Sequence, residues 1–169
     1  MADACWLEGF HRVHEEQYMT TAYDVPANLL IERLASKLSS VEAIKQPDWA
    51  KFAKTGSHRE KGPARNDWWI IRVAAVLRKV YLNGPIGVER LSAEYGGRCD
   101  HGSAPYHAVR GSRAVARAVV KQLEAGKLIK IERGRGRSVT STGQALIDNT
   151  SHEVLKELAV NNPELTKYL

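Results

Sequence analysis

GSRAVARAVVKQLEAGKLIKIERGRGRSVTSTG, residues 111–143, divides into a helix, a hairpin and the opening of a second helix. Ser112 is a favoured N-cap residue and Gly126 a stop signal, so the spacing predicts a helix over about 113–125. At about 100° per residue, Arg113, Arg117 and Lys121 fall on one side of it and Val115, Val119 and Leu123 on the other. Leu128, Ile129 and Ile131 then read as a strand. RGRGR reads as a glycine-rich turn, residues 138–140 as the returning strand, and STGQALI as the start of a helix reaching to about Val160.

Upstream, Pro26 suits the first turn of a helix over about 26–41, with Leu30, Ile31, Leu34, Leu38 and Val41 in one apolar stripe. Residues 45–67, KQPDWAKFAKTGSHREKGPARND, contain two prolines, two glycines and six Lys/Arg. This segment is expected to be an ordered basic surface element, with Trp49 and Phe52 anchored on the core. Asn66 is placed to cap a helix over about 67–82, ended by Asn83-Gly84-Pro85. That helix is apolar nearly all round and is expected to be the central buried one. Arg72 and Lys79, seven apart, would share an exposed stripe that Arg65 extends, while Arg78 points elsewhere. GVERLSAEYGG gives a short helix with Val88, Leu91 and Tyr95 on one face.

Between that short helix and the basic helix lie about 15 residues, Gly97 to Gly111. They hold Arg98, His101, His107 and Arg110 and show neither helical nor strand period, so they are expected to form an ordered loop. Helix, short helix, amphipathic helix and basic hairpin make a mostly α fold: a winged helix-turn-helix domain with a two-stranded β-hairpin wing and extra N- and C-terminal helices. Such a fold brings a DNA-binding transcription regulator into consideration, with the 113–125 helix in the major groove and Arg135 on the backbone or minor groove. A DNA-reading helix-turn-helix joins its helices by roughly three or four residues, however, and here the separation is much longer. The helix also presents no Asn or Gln beside its cations for reading adenine edges. A basic loop next to a basic helix suits folded RNA, recognised by shape, phosphates and 2′-hydroxyls.

Charge distribution points the same way. The net charge is +6 over 169 residues. Residues 98–137 hold ten Lys/Arg against three acids, a net +7, which leaves −1 for the remainder. A localised excess of this size implies a polyanionic partner. Only Cys5 and Cys99 are present, which argues against a disulfide framework and for a reducing, cytoplasmic setting. No apolar run approaches the roughly 18 residues of a membrane span, so no membrane partner is expected.

The stretches YDVPANLLIERLA, KQPDWAKFAKTGSHREKGPARNDWW, RVAAVLRKVYLNGPIGVERLSAEYGGR, GSAPYHAVRGSRAVARAVVKQLEAGKLIK and GRSVTSTGQALID together resemble the small-subunit ribosomal protein nineteen-e family of archaea and eukaryotes. The combination of KTG-x-H-x-E, DWW, GP-x-GV, YGGR and GSRAVAR is specific to it. The resemblance covers about 21–150. It implies a domain over 21–150, preceded by an N-terminal extension (1–20) and followed by a C-terminal helix and tail (151–169). It also implies a structural constituent of the small-subunit head that binds ribosomal RNA beside neighbouring head proteins, with a role in subunit assembly or RNA maturation. Through its motifs it assigns RNA contact to Lys54, His58, Arg72, Arg78 and Arg98, and to Ser112, Arg113 and Arg117. The charge pattern adds Arg59, Lys61, Arg65, His101 and Arg110, then Lys121, Arg135 and Arg137.

Catalysis and cofactors are not expected. Cys99-Asp100-His101 offers too few N/S donors for a structural zinc site, and no orienting carboxylate or acyl-transfer motif accompanies a Cys99–histidine pair. No Walker A phosphate-binding loop is present and no small-molecule substrate is implied. Residues 1–18 carry Trp6 and Phe10 but no amphipathic period, so they are given no structural role. Their deletion is expected to leave the melting temperature and subunit binding unchanged; a large loss of stability would place Trp6 and Phe10 in the core.

Overall fold

The computed structural model describes residues 20–162 and 164–165; the extension expected over 1–20 lies, but for its last residue, outside them. The elements in chain order are α1 (Ala27–Leu38), a short 3-10 turn (Asp48–Lys51), α2 (Trp68–Asn83) and α3 (Val88–Glu94). They continue with β1 (Gly97–His101), β2 (Ala104–Val109), α4 (Arg113–Ala125), β3 (Ile129–Glu132), β4 (Gly136–Val139) and α5 (Ser141–Asn161). Among the described residues the fold is mostly helical, with two separate two-stranded antiparallel hairpins.

α2 is the hub. Trp69, Val73, Ala74 and Leu77 are fully buried along it, and Val76 and Val80 nearly so. α1 packs on α2 and on α5, while α4 packs on α2 and on α3. Leu30, Leu34 and Leu38 form the inner stripe of α1 and are fully buried. Burying a leucine of this kind is worth about 1.5–3 kcal/mol. On the outer rims the helices are laced by ion pairs. Arg33 pairs with Glu157 and Lys37 with Glu153 between α1 and α5, and Lys79 reaches Glu94 at 2.5 Å between α2 and α3.

α4 divides as its sequence predicts. Val115, Ala116, Val119, Val120 and Leu123 are buried, while Arg113, Arg117 and Lys121 are exposed. The Ser112 hydroxyl accepts the backbone N–H of Val115 at 3.4 Å, a long cap bond. The C-terminus departs from expectation. Gly126 keeps an ordinary φ of −74°, and Lys127 is the residue that turns left-handed, at φ 56°. Leu128 N–H then bonds Leu123 C=O at 3.1 Å and Lys127 N–H bonds Glu124 C=O at 2.9 Å. This double closure is a Schellman motif, which seats the left-handed residue one position beyond the glycine.

Other local expectations are corrected in the same physical terms. Asn66 does not cap α2; Asp67 stands at the N-cap position without a side-chain cap bond, because its carboxylate accepts Arg65 Nε and Nη2 at 3.0 and 2.8 Å. α1 ends at Leu38, earlier than the apolar stripe suggested, and Pro26 lies just outside it. Trp49 leans edge-on against Trp69 with ring centroids 5.6 Å apart, but Phe52 is 90% exposed and anchors nothing. Ile131 in β3 is 64% exposed, so the buried apolar contribution there comes from Ile129 and from Leu128 just before the strand.

The largest correction concerns residues 97–109. They form a regular hairpin in which Gly97 faces Val109, Arg98 faces Ala108 and Cys99 faces His107, with an irregularity before the His101–Ala104 pair. Gly102 has φ 73°, as a two-residue hairpin turn with glycine first requires. Every side chain from Arg98 to Ala108 except Cys99 is exposed. Neither face is buried, so no apolar/polar alternation announces the strands.

Lys127→Gly should raise stability by about 0.5–1 kcal/mol, read by chemical denaturation, because glycine bears the left-handed backbone without a Cβ clash. An unchanged or lower stability would show that the lysine side chain offsets that strain. Glu94→Gln tests the α2–α3 pair. Lys79 holds the Glu94 carboxyl below its ordinary 4.5 by hydrogen bond and charge. The pair therefore adds stability above that pH and loses it as pH falls through the depressed value. The variant should melt slightly lower than the parent at pH 7 and together with it at pH 2.

Candidate nucleic-acid interface

Three segments far apart in sequence meet at one junction. Gly56 and Gly111 form an antiparallel bridge, Ser112 N–H donates to Thr55 C=O at 2.8 Å, and Gly111 N–H donates to Ser92 C=O at 2.8 Å. The His58 ring fills the space between two glycines. A Cβ on Gly56 would lie 2.7 Å from its Cε1 and Nδ1, and a Cβ on Gly97 would lie 2.8 Å from its Cδ2. Gly111 admits no side chain either, since its Cβ would stand 2.5 Å from Tyr95 O. The KTG-x-H segment, the YGGR turn and the start of α4 are thus a single interlocked unit. His58 is its wedge, and His58 Nδ1 is buried without a bonding partner among the described residues.

Around this junction the basic residues differ in how much charge they have to offer. Lys54, Arg59 and Lys61 are exposed on the segment before α2, and Arg113, Arg117 and Lys121 on α4. Among the described residues none of these six pairs with a carboxylate. Arg135 is exposed at the β3–β4 turn, which Gly134 and Gly136 form at φ 76° and 125°. Arg98 is exposed, with its guanidinium 5.6 Å from the Tyr106 ring centroid. His101 and His107 sit across the β1–β2 hairpin with ring centroids 6.0 Å apart.

Other expected contact residues are held by the protein itself. Arg110 pairs with Glu89, and Arg65 with Asp67 and, at 3.9 Å, Glu32. Arg137 Nε donates to Glu124 Oε1 at 2.8 Å in a half-buried setting. Ser112 is committed to its helix cap. Arg78 is half-buried, with Nε buried and unbonded among the described residues. Arg72 does not lie on an open stripe with Lys79. It stacks on the Tyr95 ring at 4.2 Å, and burial lowers its proton affinity, with a smaller push from the Arg59 charge. Burial also pushes the Tyr95 hydroxyl up to about 12, so it stays protonated at neutral pH.

Two features escaped the sequence reading. Phe52 and Tyr106 are large aromatics set in water, at 90% and 56% exposure, each within a few residues of cations. Aromatic and cationic side chains on one surface are what unstacked bases and phosphates need. A lone exposed aromatic in the sequence carries no such signal, because its burial cannot be read without its neighbours. Among the described residues no group of three or more His, Cys, Asp or Glu is placed to hold a metal ion, and no helix is long and apolar enough to cross a membrane.

Comparison with known proteins places this chain in a family. The family model described as ribosomal protein S19e matches residues 21–157. The chain is similar to the small ribosomal subunit protein eS19 of Aeropyrum pernix, 46% identical over 154 residues that cover 89% of this chain and all of the relative. It is 42% identical over 151 residues to the protein of the same name from Thermoplasma acidophilum, covering 89% of this chain and all of that one. The Myxine glutinosa protein of that name is 38% identical over 135 residues, 80% of this chain and 93% of the relative. The chain belongs to the ribosomal protein S19e family.

Proposed function

We propose that the protein is a structural constituent of the small ribosomal subunit, not an enzyme, and that it binds ribosomal RNA in the subunit head. The observation that carries this reading is the row of Arg113, Arg117 and Lys121, exposed and without carboxylate partners among the described residues, beginning two residues after Gly111 of the Gly56–Gly111 junction. A surface that leaves cations unmatched at a rigid joint favours an anionic partner of fixed shape.

Within this reading α3, α4 and the β3–β4 hairpin form a winged helix. Ile86 supports it by pairing with Arg137 in both directions at 3.0 Å, a short third rung ahead of α3. The β1–β2 hairpin stands where a DNA-reading fold has a tight turn, and it projects Arg98, His101 and His107 outward. A duplex groove would have to accommodate that ribbon beside α4. Folded RNA, with loops and junctions, offers cavities for it. Neighbouring head proteins are the expected protein partners, the ribosome in the cytoplasm the expected location, and assembly of the subunit or maturation of its RNA a further role.

The test uses the full chain. It should co-sediment with small subunits in moderate salt, and recovery only on chromosomal DNA would overturn the reading. Arg113→Ala with Arg117→Ala should change stability by less than about 1 kcal/mol, because both side chains are exposed and unpaired among the described residues. Affinity for ribosomal RNA should fall, and its salt dependence should flatten by up to about 0.9 in log–log slope per lost duplex phosphate contact. Val119→Asp, on the buried face of the same helix, should cost several kcal/mol and unfold the domain. A folded double variant with full affinity at every salt concentration would move the contact from α4 to the 54–65 segment and the β1–β2 hairpin.

A further inference from the structure

The cleft between α2 and the segment before it has a shape and a charge that phosphate contacts on α4 do not use. We infer that it receives a single unstacked nucleotide of the bound RNA; the inference rests on the RNA-binding reading above. The cleft measures about 800 Å³. Sites for single small molecules run from roughly 300 to 1,000 Å³, so one nucleotide fits and a base-paired helix does not.

One wall is apolar and comes from successive turns of α2: Trp68, Ile71 and Ala75. The spacing of three and four places these residues above one another on one helix face. Arg72 rises from the same helix, its planar guanidinium centred 4.2 Å from the Tyr95 ring centroid, which restrains its position. The facing wall is the loop from His58 to Arg65, and it supplies Arg59 and Lys61. Glu60 is the one acid among the described residues lining the cleft. Arg59, Lys61 and Arg72 have no carboxylate partner among the described residues, and Arg59 and Arg72 are close enough to repel one another. A phosphate between the two walls relieves that repulsion while its base lies on the apolar side. An amine or a neutral apolar ligand would leave the cations opposed. RNA loops and bulges present such splayed nucleotides, and side-chain stacking is sequence-tolerant.

Two measurements test the inference on the full chain bound to a small-subunit ribosomal RNA transcript. Short-wavelength ultraviolet cross-linking followed by peptide mass spectrometry should give an RNA adduct on the peptide carrying Trp68. Ala75→Trp, which fills the cleft without removing a cation, should abolish that adduct and weaken RNA binding about tenfold, with the salt slope unchanged. Val160→Trp, which adds the same indole at an exposed position outside the cleft, should behave as the parent. An absent Trp68 adduct overturns the inference, as does a folded Ala75→Trp variant that binds with parental affinity; in either case parental RNA binding with its salt slope leaves the broader reading intact. Should Ala75→Trp fail to fold, the adduct on the parent decides alone. Free AMP and UMP at millimolar concentration should not displace the transcript; displacement would assign the cleft to a free mononucleotide and overturn the inference. Failure of the parent to bind the transcript overturns both readings.

Discussion

The fully buried Trp69 indole sits at the crossing of α2, α4 and the basic segment, and its one polar atom fixes how they meet. Its Nε1–H donates to Gln122 Oε1 at 2.9 Å, and the Gln122 amide donates onward to the Lys45 carbonyl at 2.5 Å. A buried N–H left without a partner costs about 1–3 kcal/mol, so the arrangement is specified as well as stabilised. Gln122 belongs to α4, and anchoring it sets the rotation of that helix about its axis. A turn of one residue, about 100°, would carry Arg117 toward the core and Val119 toward water. The direction in which the cationic row faces thus follows from a bond made on the opposite side of the helix.

What was legible in the sequence is what local chemistry alone dictates. The two faces of α4, the burial of α2, the stop at Asn83-Gly84-Pro85 and the β3–β4 hairpin each follow from periodicity or turn residues within a few positions. The β1–β2 hairpin was not legible because its side chains meet only water and one another. Strand prediction relies on a buried face, and this ribbon has none. The turn at Lys127 was hidden for a related reason: residue preference favours glycine there, and the Schellman bonds that override it depend on where the chain goes next.

The candidate surface divides along the same line. Its composition could be read; which cations remain available could not. Glu89 lies 21 positions before Arg110, and Glu124 lies 13 before Arg137, so the fold alone brings those charges together. The exposed Arg110–Glu89 pair contributes at most about 1 kcal/mol to stability. The larger effect of both pairs is on the field outside the protein. They quiet part of the rim, while Lys54, Arg59, Lys61 and the α4 row have no carboxylate partner among the described residues.

The junction of Gly56, Gly97 and Gly111 also bears on how genetic data on this protein would read. Gly97 borders Arg98, Gly111 lies between Arg110 and the cap residue Ser112, and Gly56 stands two positions after Lys54, all three within the most distinctive stretches of the sequence. A substitution there sets a Cβ against the His58 ring or the Tyr95 carbonyl, so its cost falls inside the protein. The defect would nonetheless emerge as a loss of ribosomal function, sharing its phenotype with changes at the neighbouring cations. If the proposed RNA binding holds, a map of intolerant positions would therefore draw its footprint too large, enclosing the joint along with the surface it holds.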